Sequence, residues 1–191
     1  MELFRRAWIE VQPNVVGWAV YFVVLTTVMM ATCGLGIVLM PNVYRELRDT
    51  RAEQRGPDLG RLFNFDRFSE DAFHAAIVYG ATSLGSAAAG VGALVASVLL
   101  GFVFPMAADG RYEPMVHARL SMEHVLAHLE THLILLLGSC VMLFVLTPMT
   151  CGIFFFVGSP ILLMAVQLHY EDSRPEIDAI AERLGLLTDG G

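Results

Sequence analysis

Four histidines, His117, His124, His128 and His132, stand seven, four and four residues apart. On an α-helix that spacing gathers them onto one face. Imidazoles at i and i+4 can share a metal ion, and Glu123 and Glu130 stand close by in sequence. Where the stripe nears a membrane, one of its rings could instead ligate a haem or chlorin. The bland alternative is an interfacial helix whose imidazoles face water or headgroups. The chain has six histidines in all, too few for the histidine boxes of membrane di-iron oxygenases, and His-Glu-x-x-His is absent. The stripe is therefore expected to lie along a membrane surface without a metal. His74 and His169, near the ends of apolar runs, are expected to be interfacial as well.

Other chemistry is sparse. Ser83, Ser86, Ser97, Ser139 and Ser159 lie inside apolar runs with no nucleophile-elbow context, where serine more often bonds a backbone carbonyl. There is no P-loop and no dinucleotide fingerprint. Cys33, Cys140 and Cys151 all fall in apolar runs and form no Cys-x-x-Cys pair, so they read as small buried hydrophobes. No catalytic residue, cofactor or enzymatic activity is expected.

The elements that must position these residues belong to a membrane. The 191 residues are 55% hydrophobic and 16% charged, against about 25% charged in an ordinary soluble domain. Residues 131–170 contain no Asp, Glu, Lys or Arg. As one helix they would be about 60 Å long, twice what a bilayer core of about 30 Å requires. They should fold into a hairpin turning within Thr147-Pro148-Met149-Thr150-Cys151-Gly152, at Pro148 and Gly152. Residues 72–108 are charge-free too and again too long for one crossing. Their middle is rich in small residues: Gly80, Gly85, Ala89 and Gly92 permit close helix approach, and the run from Gly85 to Gly92 suits a tight turn. Residues 14–40, fenced by Pro13 and Pro41, make a first membrane segment that either spans or, through Cys33-Gly34-Leu35-Gly36, is re-entrant.

The polar stretches complete one membrane domain. Residues 1–12 carry Leu3, Phe4, Ala7, Trp8 and Val11 at helical spacing and are expected to form an interfacial helix with Trp8 at headgroup depth. Arg5-Arg6 is followed by too long an apolar run for a cleaved signal, so no cleavage is expected. Residues 41–71 hold six arginines in a polar helix of opposite-charge pairs ended by Gly56-Pro57. Beyond it Phe63, Phe65 and Phe68 alternate with polar residues as a surface anchor. Residues 109–130 form an amphipathic helix begun by Glu113-Pro114. Residues 171–191 are a polar tail whose helix starts at Ser173-Arg174-Pro175-Glu176.

Arginine placement selects the topology, since cytoplasmic loops collect basic residues. If both long runs are hairpins, ten arginines share one side and only Arg5 and Arg6 lie opposite, or none if the first segment is re-entrant. If residues 72–108 cross once, the sides carry six each and no bias remains. The expected fold is thus all-α: a polytopic membrane protein of one first segment and two hairpins, crossing fully or entering from one leaflet. Its amphipathic surface helices would lie on the cytoplasmic face of a bacterial inner membrane.

The order Leu62, Phe63 and Phe65, a small-residue run ending at Pro105, then Ala107, Asp109, Ala118, Ser121, Pro160 and Tyr170 resembles a known pattern. It is similar to multi-pass bacterial membrane proteins of uncharacterised role, including those like the membrane domain of glycerophosphodiester phosphodiesterases. The resemblance implies an all-helical membrane domain and no catalytic residue. A net charge of -7 argues against a nucleic-acid partner. The leading expectation is a non-enzymatic scaffolding or accessory subunit, whose partners are lipid and either its own copies or other subunits. A channel or carrier for a small neutral solute, and a metal- or porphyrin-binding protein using the stripe, stand beside it.

Overall fold

The computed structural model describes residues 2–32, 34–86, 91–150 and 152–186. All regular structure among them is helical: α1 (Glu2–Val11), α2 (Val15–Ala31), α3 (Met40–Glu53), α4 (Leu59–Leu62), α5 (Phe68–Ser86), α6 (Val91–Leu99), α7 (Val103–Asp109), α8 (Pro114–Ala127), α9 (Leu129–Cys140), α10 (Thr147–Met149) and α11 (Ile153–Arg183). Short 3-10 turns over Gln12–Asn14 and Leu35–Leu39 join α1 to α2 and lead into α3, and a π-helical turn over Val141–Leu146 joins α9 to α10. Three helical stretches are long and apolar enough to cross a membrane: Glu2–Ala31, Gly92–Asp109 and Ile153–Arg183.

These helices form three hairpins. In the first, α2 rises and α3 returns: Asn14 Nδ2 donates to the Arg55 carbonyl, and Gly17 lies against the Pro57 ring. Its tip turns at Gly34, whose φ of 91° lies where an L side chain would be strained. The first apolar run therefore comes back to the end it started from. The returning arm is the charged helix α3, which the composition alone had assigned wholly to an outside segment. Its placement follows from one face: Val43, Tyr44 and Leu47 fill a core with Trp18, Tyr21, Phe22 and Leu25. Most polar groups buried on that face are matched, Arg45 Nε being an exception. Asn42 Nδ2 donates to the Leu62 and Asn64 carbonyls, and Arg45 makes a two-pronged pair with Asp71 at 2.6 and 2.7 Å.

The second hairpin pairs α5 with α6 and α7. Gly85 and Gly92 meet backbone to backbone below its tip: a Cβ on Gly85 would fall 2.4 Å from the Gly92 carbonyl carbon. Gly80 has open space around its Cβ position, and Ala89 lies outside the described residues. At the base of this hairpin Gly110 ends α7 in the left-handed region beside the Arg67 guanidinium.

The third hairpin runs up α9 and α10 and down α11, turning at Gly152 with φ 87° just past Pro148. The helix α11 does not stop where charge begins at Glu171; it continues to Arg183 and spans about 46 Å. Pro175, read from sequence as a helix start, sits inside it. The change at Glu171 is one of surroundings, from apolar neighbours to ion pairs.

All three hairpins open toward one charged pole. The buried Asp109 carboxylate of the second hairpin receives the Tyr170 hydroxyl at 2.6 Å and faces Arg48 and Arg174, so it ties all three hairpins together. Arg51 bridges to Glu10 and Glu171, Arg6 to Asp172 and Arg111 to Asp178. The helix α1 is part of this pole: Ala7 and Val11 are buried, and α1 packs along α11. Trp8, Phe63, Phe65 and Phe68 remain exposed, with Phe65 and Phe68 edge to face at 5.9 Å. Away from the pole, large apolar side chains face outward, among them Val16, Leu84, Leu94, Leu137, Met149 and Ile153.

Candidate metal centre

The histidine stripe divides. His117 and His124 are buried on α8, His128 is half-exposed at the junction of α8 and α9, and His132 is buried on α9. The junction is a real break: His128 has φ -124° and ψ 39°, outside the helical region, and serves as the last cap of one helix and the first of the next. The lower and upper ends of the stripe meet different partners, and the division falls within α8, between His117 and His124.

His117 meets α5. Its Nδ1 lies 2.8 Å from His74 Nε2, and His74 Nδ1 lies 2.7 Å from the Glu70 carbonyl. A carbonyl only accepts, so His74 carries its proton on Nδ1 and its Nε2 accepts from His117. Burial, with His74 and Arg67 as further causes, pushes His117 down to about 3. Its ring is also edge-on to Tyr112. An unfolded chain titrates this group near 6.5, so between about 6.5 and 3 the unfolded state holds the extra proton. Stability should be complete above that window and fall as pH drops through it, by at most about 1.4 kcal/mol per pH unit. In detergent, the unfolding midpoint of His117→Asn, which keeps a donor at the Nδ1 position, is expected to lose part of the wild-type acid sensitivity. Parallel curves for both proteins would contradict this.

The upper end of the stripe meets α11. His124, His132 and His169 converge from three helices, and one ring nitrogen from each lies within 4.8 Å of the others. Three of these elements are positioned by Phe102, fully buried at the break between α6 and α7. Its ring stacks on His124 at 5.4 Å and meets His132 and His169 edge-on at 5.0 and 5.3 Å. Ser121 holds the break by accepting from the Phe102 N–H and donating to the Leu99 carbonyl.

These imidazoles are not satisfied by the protein. Both nitrogens of His124, and Nε2 of His132 and His169, find no hydrogen-bond partner among the described residues. Leaving a buried polar atom unpaired costs about 1–3 kcal/mol each. Burial and the neighbouring His128 push His124 down to about 4, so at neutral pH its ring is uncharged and offers a lone pair. A second group of donors adjoins the first: His124, His128 and Glu176 also come within 4.8 Å, with Glu176 and His128 hydrogen-bonded to each other.

No family model, curated protein or solved structure matches this chain. Its site is therefore read from its own geometry. Of the four stripe histidines, the structure gathers His124, His128 and His132 and sends His117 elsewhere. It adds His169 and Glu176, which the stripe did not include. Cys140 is a free thiol on α9, and Cys33 and Cys151 lie outside the described residues.

Proposed function

We propose that this chain is an integral membrane protein in which α8 and the third hairpin together hold a transition-metal ion on His124, His132 and His169. The observation that carries the reading is the convergence of three buried or half-buried imidazoles whose facing nitrogens have no partner among the described residues. Imidazole ligands suit zinc, copper, iron, nickel and cobalt, whereas calcium and magnesium take oxygen. Bond lengths of about 2.0–2.1 Å to such an ion would draw the nitrogens together from 4.8 Å to about 3.3 Å. Three protein ligands leave a position open, the arrangement of a working site more than of a purely structural one.

The pocket beside His132, lined by Ser97, Gly101, Leu136, Ser139 and Val166 and half open to the surface, holds about 140 Å³, room for an ion with a water or small ligand. The outward-facing apolar side chains above the charged pole support the membrane setting, because such a band is costly in water and not in lipid.

Metal analysis of the full chain, purified in mild detergent after supplementing with zinc or cobalt, tests the site. About one ion per chain is expected. The His132→Gln, His169→Gln double variant should fall to background while keeping its helical content. Wild-type protein free of zinc, copper, iron, cobalt and nickel, and unable to take up added cobalt, would sink the reading.

A further inference from the structure

The two donor groups share His124, and they are graded in exposure. Glu176 and His128 are the most open, with side chains 50% and 40% exposed, whereas His124 is 1% exposed and His132 6%, and His169 is partly exposed. The charged pole lies beside the first pair, and a small pocket with mainly apolar lining, half open to the surface, lies beside His132. The break at His128 creates this order: one turn before it His124 faces inward, one turn after it His132 does, and His128 itself turns to Glu176.

We infer that the site loads through its outer group: His128 and Glu176 capture the ion from water, and His124 passes it to His132 and His169. The inference rests on the metal reading above. A hydrated cation cannot shed its whole water shell at once without great cost, so a staged path needs ligands that replace water stepwise. Glu176 supplies the one negative charge in the two groups and draws the cation in. In the resting site His128 Nε2–H donates to Glu176; when Nε2 takes the ion, that proton leaves to water and the neutral ring carries its proton on Nδ1. His124 can stay bound through the transfer on the nitrogen that holds its lone pair, since no described residue competes for it. Apart from that proton, only metal–ligand bonds change; no electron moves.

Co²⁺ binding to the metal-free full chain in detergent, followed by stopped-flow absorbance, separates the outcomes. An EDTA chase gives the dissociation rate. In the His128→Gln, Glu176→Gln double variant, association and dissociation should both slow by about tenfold or more, since a stepping site lowers the barrier in both directions. Faster dissociation would mean that His128 and Glu176 ligate the resting ion, and unchanged rates would mean that loading goes elsewhere; either overturns the inference. Should the double variant fail to fold, Glu176→Gln alone, at an exposed position, should slow association and weaken its dependence on ionic strength. An unchanged rate and salt dependence there would be equally fatal. Wild-type protein that takes up no Co²⁺ fails the metal reading itself, a different result from any of these.

Discussion

Gly85→Leu is expected to abolish the folded protein. A Cβ at this position would lie 2.4 Å from the Gly92 carbonyl carbon and 2.5 Å from its oxygen, and both obstacles are backbone. No side chain can rotate away, so α5 and α6 must separate. Overpacking a core usually costs about 1–3 kcal/mol, and here the relaxation that keeps it that low is blocked. The separation would also displace the break that carries Phe102, and with it the centre of the histidine cluster. Gly80→Leu is the matched control, since nothing lies within 4 Å of its Cβ position. Gel filtration in detergent should show aggregate for the first variant and a normal peak for the second. Equal behaviour of the two would contradict the close glycine contact.

The second large effect is expected at Arg55. Glu46 is fully buried on α3, and its carboxylate receives two bonds from Arg55 and one from the Asp58 N–H. The reach is possible because Gln54 ends α3 in the left-handed region, with φ 49°, and turns Arg55 back along the helix. Removing one partner of a fully buried pair typically costs about 3–5 kcal/mol. Arg55 is a quarter exposed, and Glu46 keeps the Asp58 N–H and Arg61 at 3.9 Å, so Arg55→Ala should lower stability by less than that, about 2 kcal/mol. Adding Glu46→Gln to it should restore part of the loss, because the charge left stranded is gone. A double variant no more stable than Arg55→Ala would show that Arg55 acts through packing alone.

Much of the architecture was legible in the sequence because the signal was length and absence of charge. Residues 72–108 and 131–170 were too long for single crossings; Gly85 and Gly92 face each other across the first, whose turn lies outside the described residues, and the second turns at Gly152 just past Pro148. A return of the first segment at Cys33-Gly34-Leu35-Gly36 was one of two open readings, and the chain turns at Gly34; what was hidden is that α3 forms the returning arm. The helix α3 is polar on most of its surface, and the partners that permit its burial, Leu62, Asn64 and Asp71, stand 20 or more residues away from the side chains they satisfy. No local pattern reports pairing at that distance. The same applies to α1, whose amphipathic face reads equally well against lipid and against α11.

The candidate site was half legible. Spacing along one helix found His124, His128 and His132, but it included His117 because periodicity does not show which neighbour a ring meets. His169 was missed although a signal existed. His132 and His169 stand 18 and 19 residues from Thr150, on either side of the turn. In an antiparallel hairpin, positions equidistant from the turn lie opposite one another. Reading the two arms against each other, and not along themselves, would have paired them. Phe102 and Glu176 carried no such mark.

The common orientation of the three hairpins bears on how the protein is made. Each tip is uncharged, and no Asp, Glu, Lys or Arg lies within residues 14–40, 72–108 or 131–170. In a bilayer, synthesis would then require no hydrophilic loop to be carried to the far side. Each hairpin could slide in from one leaflet with its helical backbone already bonded, leaving chiefly the few carbonyl and amide groups at the tips to be accommodated. The order of synthesis sets the order of completion. Phe102 and His124 are in place before the last hairpin exists, and His169 arrives only when that hairpin docks. Ion uptake would accordingly report the final step of assembly, and a chain stalled before it would be inserted but unable to hold metal.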